Sequence, residues 1–462
     1  MKKKIRTLMA LILSMLCILS LVGCNNAGGT GDKDDSAEAI DLGGREINLV
    51  AWGDGVFSLL ENSDDELTQT YYARKQEMEE KYNCTIVTKK VGASEILPGL
   101  RAAEMADTVY ADAVAMRTAW AKSAYDEGLL LELGQLFDED EVNNFYSLGV
   151  DCLKQDDGSF YTISFYKENP VENIYYFNID HFENQGIDVD ALYQEVLDGK
   201  WTFERMTEIA EQAMVEKNGV VEVYGAQAAL SGDSFGHYLA PFGAQAMIKN
   251  EDGTYSSGLK TDNMKRAFET LTGTIQNDAY WGNAGGGWET CSQMFQAGTL
   301  AMYTDSLAGY VTITQNAPFE VGVLPMPKAS EEDADYTYSA MTLNVVAIPA
   351  AVGKDKEVAQ AIADMLAYIY APLEEDASAT LERKYGMYCS NEKQVEIIVN
   401  AGLSDNFVFT NYLFTGLKSN YDNICGSTMK SILQGTTSFR AGTDAIDEAW
   451  QSIIDEYNDS LK

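Results

Sequence analysis

The stretch INLVAW at residues 47–52 is an apolar run of strand length that ends in a tryptophan. Two further runs of this kind follow it, CTIVTKKV at 84–91 and VYADAVAM at 109–116. The segments between them, residues 63–82 and 94–105, favour helices, and the first carries apolar side chains at helical spacing. This alternation of strand and helix predicts an α/β fold with a largely parallel sheet.

The ends of these strands carry side chains suited to a binding site. Ligands of parallel sheets bind at the carboxyl ends of the strands. Trp52 and Asp54 follow the first strand, and Arg117 follows the third. We therefore expect these residues at the mouth of the sheet.

Farther along the chain, strands and helices continue to alternate. Residues 173–182 and 342–349 favour strands, whereas 201–214 and 355–370 favour helices, the first of them with a threonine cap. The loop YWGNAGGGW at 280–288 is rich in glycine and is bracketed by two tryptophans. No internal repeat interrupts this organisation.

The first residues have the features of an export signal. A basic start precedes a short apolar run, which indicates a signal peptide over residues 1–23. The ending Leu21-Val22-Gly23-Cys24 resembles the bacterial lipobox, which implies that Cys24 is lipidated. The alternative is an ordinary signal peptide followed by an unrelated cysteine. Residues 24–41 have almost no apolar content and therefore predict a flexible tether.

Composition limits the partners that the protein can have. The net charge of −38 repels nucleic acid and anionic lipid and disfavours an anionic ligand, so a neutral ligand is the easier partner. The chain has only two histidines, which makes a histidine-based zinc site improbable. We predict neither a metal nor a cofactor. Five cysteines remain beyond Cys24, an odd number that leaves one or two disulfides open without assigning a pairing.

Several motifs, in this order, resemble one family. They are DAVAMRTAWAKSAYDEGLLLEL (112–133), FNIDHFENQGID (177–188), WTFERMTEIAEQA (201–213), MFQAGTLAMYTD (294–305) and VGVLPMPK (321–328). Together they resemble the extracellular solute-binding proteins of family 1, the maltose-binding-protein-like components of ABC importers.

The resemblance implies a two-lobed, type II periplasmic-binding-protein fold. Each lobe would be discontinuous in sequence, and hinge strands would join the two. The N-terminal lobe would comprise residues 42–170 plus 340–388, and the C-terminal lobe 171–339 plus 389–462. One ligand would occupy the cleft between them.

The resemblance also implies candidate ligand contacts. Sugar rings stack on aromatic planes, and their hydroxyls require carboxylates, amides and arginine. The candidates, from family positions and from tryptophans in or beside loops, are Asp54, Arg117, Trp120, Glu172, Trp281, Trp288, Tyr303, Asp305 and Tyr310. Trp201 and Trp450 are assigned to the core, and Trp52 is left open between core and ligand.

Together these features predict a lipid-anchored, monomeric substrate-binding protein on the outer face of the cell membrane. It would capture a neutral sugar or oligosaccharide by hinge closure and deliver it to ABC permease subunits, without catalysis. Three alternatives stay open: a surface lipoprotein hydrolase of the glycosidase or esterase class, a binding protein for a non-sugar solute such as a polyamine, and an adhesin. The motif GDSFG at 232–236 matches a hydrolase pattern, but only His237 lies beyond its serine.

Overall fold

The computed structural model describes residues 40–52, 56–57, 59, 61, 66–92, 94–155, 157–165, 168–228, 232–282, 288–341, 343–372, 377–409 and 417–460. The chain divides after Ile40, and Asp41–Lys462 form one compact unit. No helix in these described ranges combines the length and the apolar character needed to cross a membrane.

The described part of the chain alternates short strands with helices. The strands are β1 (Arg45–Ala51), β2 (Cys84–Lys90), β3 (Ala113–Arg117), β4 (Ile174–Asn178), β5 (Val215–Lys217), β6 (Val220–Val223), β7 (Ala226–Ala228), β8 (Met247–Lys249), β9 (Tyr255–Ser257), β10 (Tyr280–Gly282), β11 (Met302–Asp305), β12 (Val321–Pro325), β13 (Tyr338–Ala340), β14 (Asn344–Ala347) and β15 (Phe407–Phe409). The helices are α1 (Glu66–Tyr82), α2 (Ile96–Met105), α3 (Thr118–Asp126), α4 (Glu139–Asn144), α5 (Ser147–Asp151), α6 (Ile179–Asn184), α7 (Val189–Leu197), α8 (Phe203–Ala213), α9 (Gly232–Leu239), α10 (Asp262–Ile275), α11 (Trp288–Gln296), α12 (Tyr310–Asn316), α13 (Lys356–Ile369), α14 (Ala377–Tyr385), α15 (Glu392–Leu403), α16 (Lys418–Tyr421), α17 (Ser427–Leu433) and α18 (Phe439–Ser460).

The first sheet has four strands in the order β14-β3-β1-β2. β1 pairs in parallel with β2 and β3, whereas β14 runs antiparallel to β3. The prediction of an α/β fold with a largely parallel sheet is confirmed. Asp112 stabilises the amino end of this sheet. Its carboxylate accepts hydrogen bonds from the Arg45 guanidinium at 2.6 Å and from the backbone amide of Asn48 at 2.7 Å.

The second sheet has three antiparallel strands in the order β11-β4-β12. Every residue of β4 and β12 is buried. Since side chains alternate along a strand, Tyr175 and Phe177 enter one apolar cluster and Ile174 and Tyr176 enter another on the opposite face. The sheet is therefore covered on both faces.

Two crossing segments connect the two sheets and lie side by side. The chain leaves the first sheet region before β4 and returns between β12 and β14. The Glu172 amide donates to the Ser339 carbonyl at 2.9 Å, and the Ser339 amide donates to Asn173 Oδ1 at 2.8 Å. Farther on, α13 packs on α1 of the first sheet region, whereas Leu381 and Tyr385 of α14 lie in the cluster that contains Ile174.

The two tryptophans assigned to the core are confirmed there. Trp201 and Trp450 are fully buried. The Trp201 indole N–H donates to the Pro325 carbonyl at 2.9 Å, and that of Trp450 donates to the Ala246 carbonyl at 2.7 Å. Thr202 caps α8 as predicted, because its side chain accepts from the backbone amide three residues later. The indole N–H groups of Trp201 and Trp450 thus each have a hydrogen-bond acceptor inside the core.

The five cysteines in the described part of the chain form no disulfide. Cys84, Cys152, Cys291, Cys389 and Cys425 are all free, and each is buried or half-buried. Burial raises the pKa of the Cys84 and Cys291 thiols to about 11 and that of Cys425 to about 12. These three thiols therefore stay protonated at neutral pH, and the thiolate is the reactive form of cysteine.

Candidate ligand-binding site

The carboxyl edge of the first sheet gathers aromatic and basic side chains. Trp52 follows β1 and Arg117 ends β3, and these neighbouring parallel strands bring the two residues to the same edge. The Arg117 guanidinium carbon lies 4.4 Å from the Trp52 ring centre and 5.9 Å from that of Trp120. A guanidinium over an indole face is attracted by the negative face of the ring. At this edge of the sheet, the Arg117 guanidinium and the two indole rings therefore hold one another in place.

Helix α3 and strand β14 complete the arrangement. Trp120 lies on the first turn of α3, and its ring meets that of Trp52 edge-on, with centroids 5.7 Å apart and an interplanar angle of 87°. The Trp52 indole N–H donates to Asn344 Oδ1 at 3.0 Å. All four side chains are at least partly accessible. We call Trp52, Arg117, Trp120 and Asn344 the aromatic platform.

Glu172 is linked to the platform through the returning crossing segment. Its Oε2 accepts from the Met341 amide at 2.7 Å, and its side chain remains 22% exposed. Two residues farther along, the Leu343 carbonyl accepts from the Thr118 amide at the start of α3 at 3.0 Å. The partly exposed Glu172 carboxylate therefore accepts from the same returning segment that contacts the start of α3.

A buried histidine contacts both crossing segments, one at Ser339 and the other at Glu172. His237 of α9 is 5% exposed, and its Nδ1 lies 2.8 Å from Ser339 Oγ. Its Nε2 lies 3.9 Å from Glu172 Oε2, a spacing at which a charged imidazole would be favoured. Burial outweighs that attraction and lowers the pKa of His237 to about 4. The imidazole is therefore neutral at physiological pH.

Asp305 lies at the edge of the second sheet that faces the crossing. It ends β11 opposite Ile174, which begins β4 two residues after Glu172. Its Oδ1 accepts from the Ser306 amide at 2.7 Å, and its Oδ2 accepts from the Tyr303 hydroxyl at 3.3 Å. The carboxylate is half-buried and is held in place by these donors.

Tyr303 and Tyr310 do not lie at a surface. Both are fully buried in the apolar cluster on one face of the second sheet. The Tyr310 hydroxyl donates to the Tyr388 carbonyl at 2.7 Å and accepts from Gln394 Nε2 at 2.7 Å. Because both faces of this sheet are covered, the rings pack inward and are not available to a ligand in this structure. We therefore leave both tyrosines out of the contact set proposed below.

The remaining sequence-derived candidates are less well placed by the structure. Trp281 lies on β10 and packs half-buried against the cluster that contains Tyr303. Trp288 begins α11, but its side chain is outside the described part of the chain. Asp54 and Cys24 also fall outside the described residues. Within the described ranges, no group of three His, Cys, Asp or Glu side chains could hold a metal ion.

Asn344 is the site residue that sequence reasoning missed. It lies opposite Arg117 in the antiparallel pairing of β14 with β3. Nothing local marks it, because its partner Trp52 is 292 residues earlier in the chain. The only available signal was its position at the start of a predicted strand.

Solved structures with the same fold come from several bacteria. The ABC substrate-binding protein Lmo0181 of Listeria monocytogenes, solved with cycloalternan, has a TM-score of 0.61 at 16% identity and covers 90% of this chain and 99% of that one. The cyclic α-maltosyl-1,6-maltose binding protein of Arthrobacter globiformis has a TM-score of 0.62 at 15% identity, covering 88% and 98%. UgpB of Mycobacterium tuberculosis, solved with glycerophosphocholine, has a TM-score of 0.60 at 14% identity, covering 89% and 98%.

These likenesses show the two-lobed fold of periplasmic solute-binding proteins, and the predicted fold class is confirmed. A search of curated protein sequences finds no match. The sequence profile of the bacterial extracellular solute-binding proteins matches residues 73–372, well over half of the chain. With its strand–helix order and its four-stranded and three-stranded sheets, this chain belongs to the bacterial extracellular solute-binding protein family.

Proposed function

We propose that the protein is the lipid-anchored substrate-binding component of an ABC importer and captures a neutral sugar or oligosaccharide. The observation that carries this proposal is the aromatic platform at the carboxyl edge of the first sheet. Two partly exposed indoles, a stacked guanidinium and a linked carboxylate combine the groups that a sugar requires. The structural neighbours solved with cycloalternan and with maltotetraose support the same ligand class.

The proposed chemistry divides between ring faces and hydroxyls. The C–H faces of a sugar ring stack on Trp52 or Trp120, which lie edge-on and so present planes at right angles. Arg117 donates hydrogen bonds to ring or hydroxyl oxygens, and Glu172 and Asp305 accept from hydroxyls. A neutral ligand suits a chain with a net charge of −38, since an anion would be repelled over most of the surface.

Closure of the two lobes would complete the site. We propose that the elements around the first sheet form one lobe and those around the second form the other. The packing of α14 with the second sheet favours an end of the first lobe before residue 377. Ligand contacts from both lobes exist only in the closed state, so binding energy shifts the population toward closure.

The membrane anchor and the permease partner rest on the sequence. Cys24 at the end of the signal peptide would carry the lipid and hold the protein on the outer face of the membrane. The fold family supports delivery to permease subunits, and the proposal includes a monomeric binding protein. The neighbour solved with glycerophosphocholine shows that non-sugar ligands occur on this fold, so the ligand class requires a direct test.

The hydrolase alternative has one observation in its favour, the group Ser339, His237 and Glu172. Its spacing of 2.8 Å and 3.9 Å resembles a nucleophile, a base and an acid. Ser339, however, is 1% exposed, so a substrate carbonyl has no access to its hydroxyl. These polar contacts are better explained as stabilising the packing of the two crossing segments.

A thermal-shift screen of residues 41–462 against a library of mono- and oligosaccharides tests the proposed function. A specific ligand at a hundredfold excess over its dissociation constant stabilises the folded protein by about 3 kcal/mol. We expect at least one neutral sugar to raise the melting temperature and polyamines, screened in parallel, to leave it unchanged. Stabilisation by polyamines alone, or turnover of chromogenic glycosides or esters, would contradict the proposal.

A further inference from the structure

Two short strands extend the second sheet beyond β11. β7 pairs in parallel with β10, and the bridge between Tyr224 and Leu300 places the approach to β7 parallel to the segment that leads into β11. The strands β10, β7 and β11 therefore run in one direction and end at a common edge. Ligands of α/β sheets bind outside the carboxyl ends of the strands, which makes this edge a candidate counterpart of the aromatic platform.

Gln227 of β7 lies at this edge and is almost completely buried. The residue is 6% exposed, and its Oε1 accepts from the Thr304 amide of β11 at 3.2 Å. This hydrogen bond fixes which end of the carboxamide faces β11. The other end, Nε2, carries two N–H donors. Among the described residues, neither donor has an acceptor.

An open donor on so buried a residue is unusual. A buried polar group without a partner lowers stability because it has lost its hydrogen bonds to water, and most such groups are therefore paired. Nε2 is not sealed inside the protein, since the fully enclosed side-chain atoms without a partner in the described ranges belong to other residues, such as Ser164 and Thr314. The donor is thus held in place and accessible at the edge.

Trp281 and Asp305 lie on the same face of these strands as Gln227. Trp281 is in register with Gln227 across β10 and β7, and paired side chains on neighbouring strands share a face. Trp281 packs against the apolar cluster that contains Tyr303, and the Tyr303 hydroxyl donates to Asp305 Oδ2 at 3.3 Å. Trp281 and Asp305 are both half-buried. An amide donor, a carboxylate acceptor and an indole therefore collect at one edge.

We propose that Gln227 is a ligand-binding residue and that its Nε2 donates a hydrogen bond to an oxygen of the bound sugar. Asp305 accepts from a neighbouring hydroxyl of the same ring. A donor beside an acceptor matches two adjacent hydroxyls, because a hydroxyl group can either accept or donate. A protonated polyamine has only donors and would leave Nε2 unpaired. This inference rests on the proposed function and adds a contact from the second sheet.

Two substitutions separate ligand contact from structural support. Gln227→Glu keeps an oxygen that can accept from the Thr304 amide but has no N–H donor. Gln227→Met has a similar length and lacks both groups. The matched control is Gln212→Glu, which introduces the same charge at an exposed glutamine of α8.

Titration calorimetry measures the affinity for maltotetraose, or for whichever neutral sugar stabilises the native protein most in the screen. The titrations are run at about 150 mM salt and below the melting transition of each variant. We expect both Gln227 variants to bind about tenfold more weakly than the native protein and Gln212→Glu to change less than about twofold.

Nuclear magnetic resonance tests the contact in the native protein itself. The Nε2 amide signals of ¹⁵N-labelled protein are identified by their absence from the spectrum of Gln227→Met. We expect these signals to shift when the same sugar saturates the protein. Signals that stay in place at saturation would overturn the contact.

The other outcomes distinguish this inference from the proposed function. Native affinity in both Gln227 variants, with weaker binding in Trp120→Ala, would overturn this inference alone. Weaker binding in Gln227→Met with native affinity in Gln227→Glu would show that Gln227 only supports Thr304, and would also overturn it. If no neutral sugar bound the native protein, the proposed function would fail, and this inference would fail with it.

Discussion

Replacing Trp120 by alanine should weaken ligand binding far more than it destabilises the fold. The ring contacts Trp52 edge-on at 5.7 Å, and the Arg117 guanidinium lies at 5.9 Å, near the limit of a cation–π contact. Loss of one stacking face from a bound sugar costs about 1–3 kcal/mol, or roughly tenfold to a hundredfold in affinity.

The cost to folding follows from the same contacts. An aromatic pair contributes about 0.5–1.5 kcal/mol beyond burial, and an exposed cation–π contact about 0.5–1 kcal/mol. Trp120 is only half-buried, so little cavity is left behind. We therefore expect its removal to lower the free energy of unfolding by about 1–2 kcal/mol.

Trp201→Ala is the matched control because it deletes the same side chain from the core. Trp201 is fully buried, and its N–H donates to the Pro325 carbonyl. Removal should cost about 3–5 kcal/mol from the cavity alone, and the stranded carbonyl adds to that loss. Where this variant still folds, we expect its affinity for ligand to stay close to native.

Titration calorimetry with the sugar identified by the screen measures affinity, and urea unfolding followed by circular dichroism measures stability. Native affinity in Trp120→Ala would refute the platform as a ligand contact. A loss of stability equal to that of Trp201→Ala would show instead that Trp120 belongs to the core.

Three further predictions address the anchor, closure and pH. Cys24→Ala should abolish incorporation of a fatty-acid analogue, since the thiol is the group that forms the thioether, and a labelled mutant would contradict lipidation at this residue. Saturating sugar should reduce the radius of gyration in small-angle scattering, and an unchanged radius would indicate a rigid binding module. The pKa of His237 is lowered from 6.5 to about 4, so the folded state resists protonation and stability is lost as pH falls from 6.5 to about 4. Between pH 6.5 and 4, the free energy of unfolding of His237→Gln should fall by about 3 kcal/mol less than that of the native protein. If the two proteins lost stability in parallel over this pH range, His237 would not be the cause of the loss.

Local sequence patterns were enough to predict much of the fold. The apolar run at 47–52 and the helix predicted at 355–370 appear as β1 and α13 within a few residues. The predictions that Thr202 caps α8 and that Trp201 is buried are also confirmed. Both could be made from the sequence because a helix cap depends on residues close together in the chain. The rule for parallel sheets also brought Trp52 and Arg117 to one edge, since it depends only on strand direction.

The strand–helix order, the α/β class and the edge shared by Trp52 and Arg117 therefore follow from local patterns. Three features instead depend on how distant elements pack: Asn344 contacts Trp52, Ser339 contacts His237 across 102 residues, and Tyr303 is buried in the core. In a half-exposed strand, alternation of apolar and polar residues shows which side chains face the core. The strand β4 is buried on both faces and has no such alternation, so its sequence does not show which side chains face a ligand. Contacts between residues distant in the chain depend on how the elements pack, and no local pattern encodes that packing.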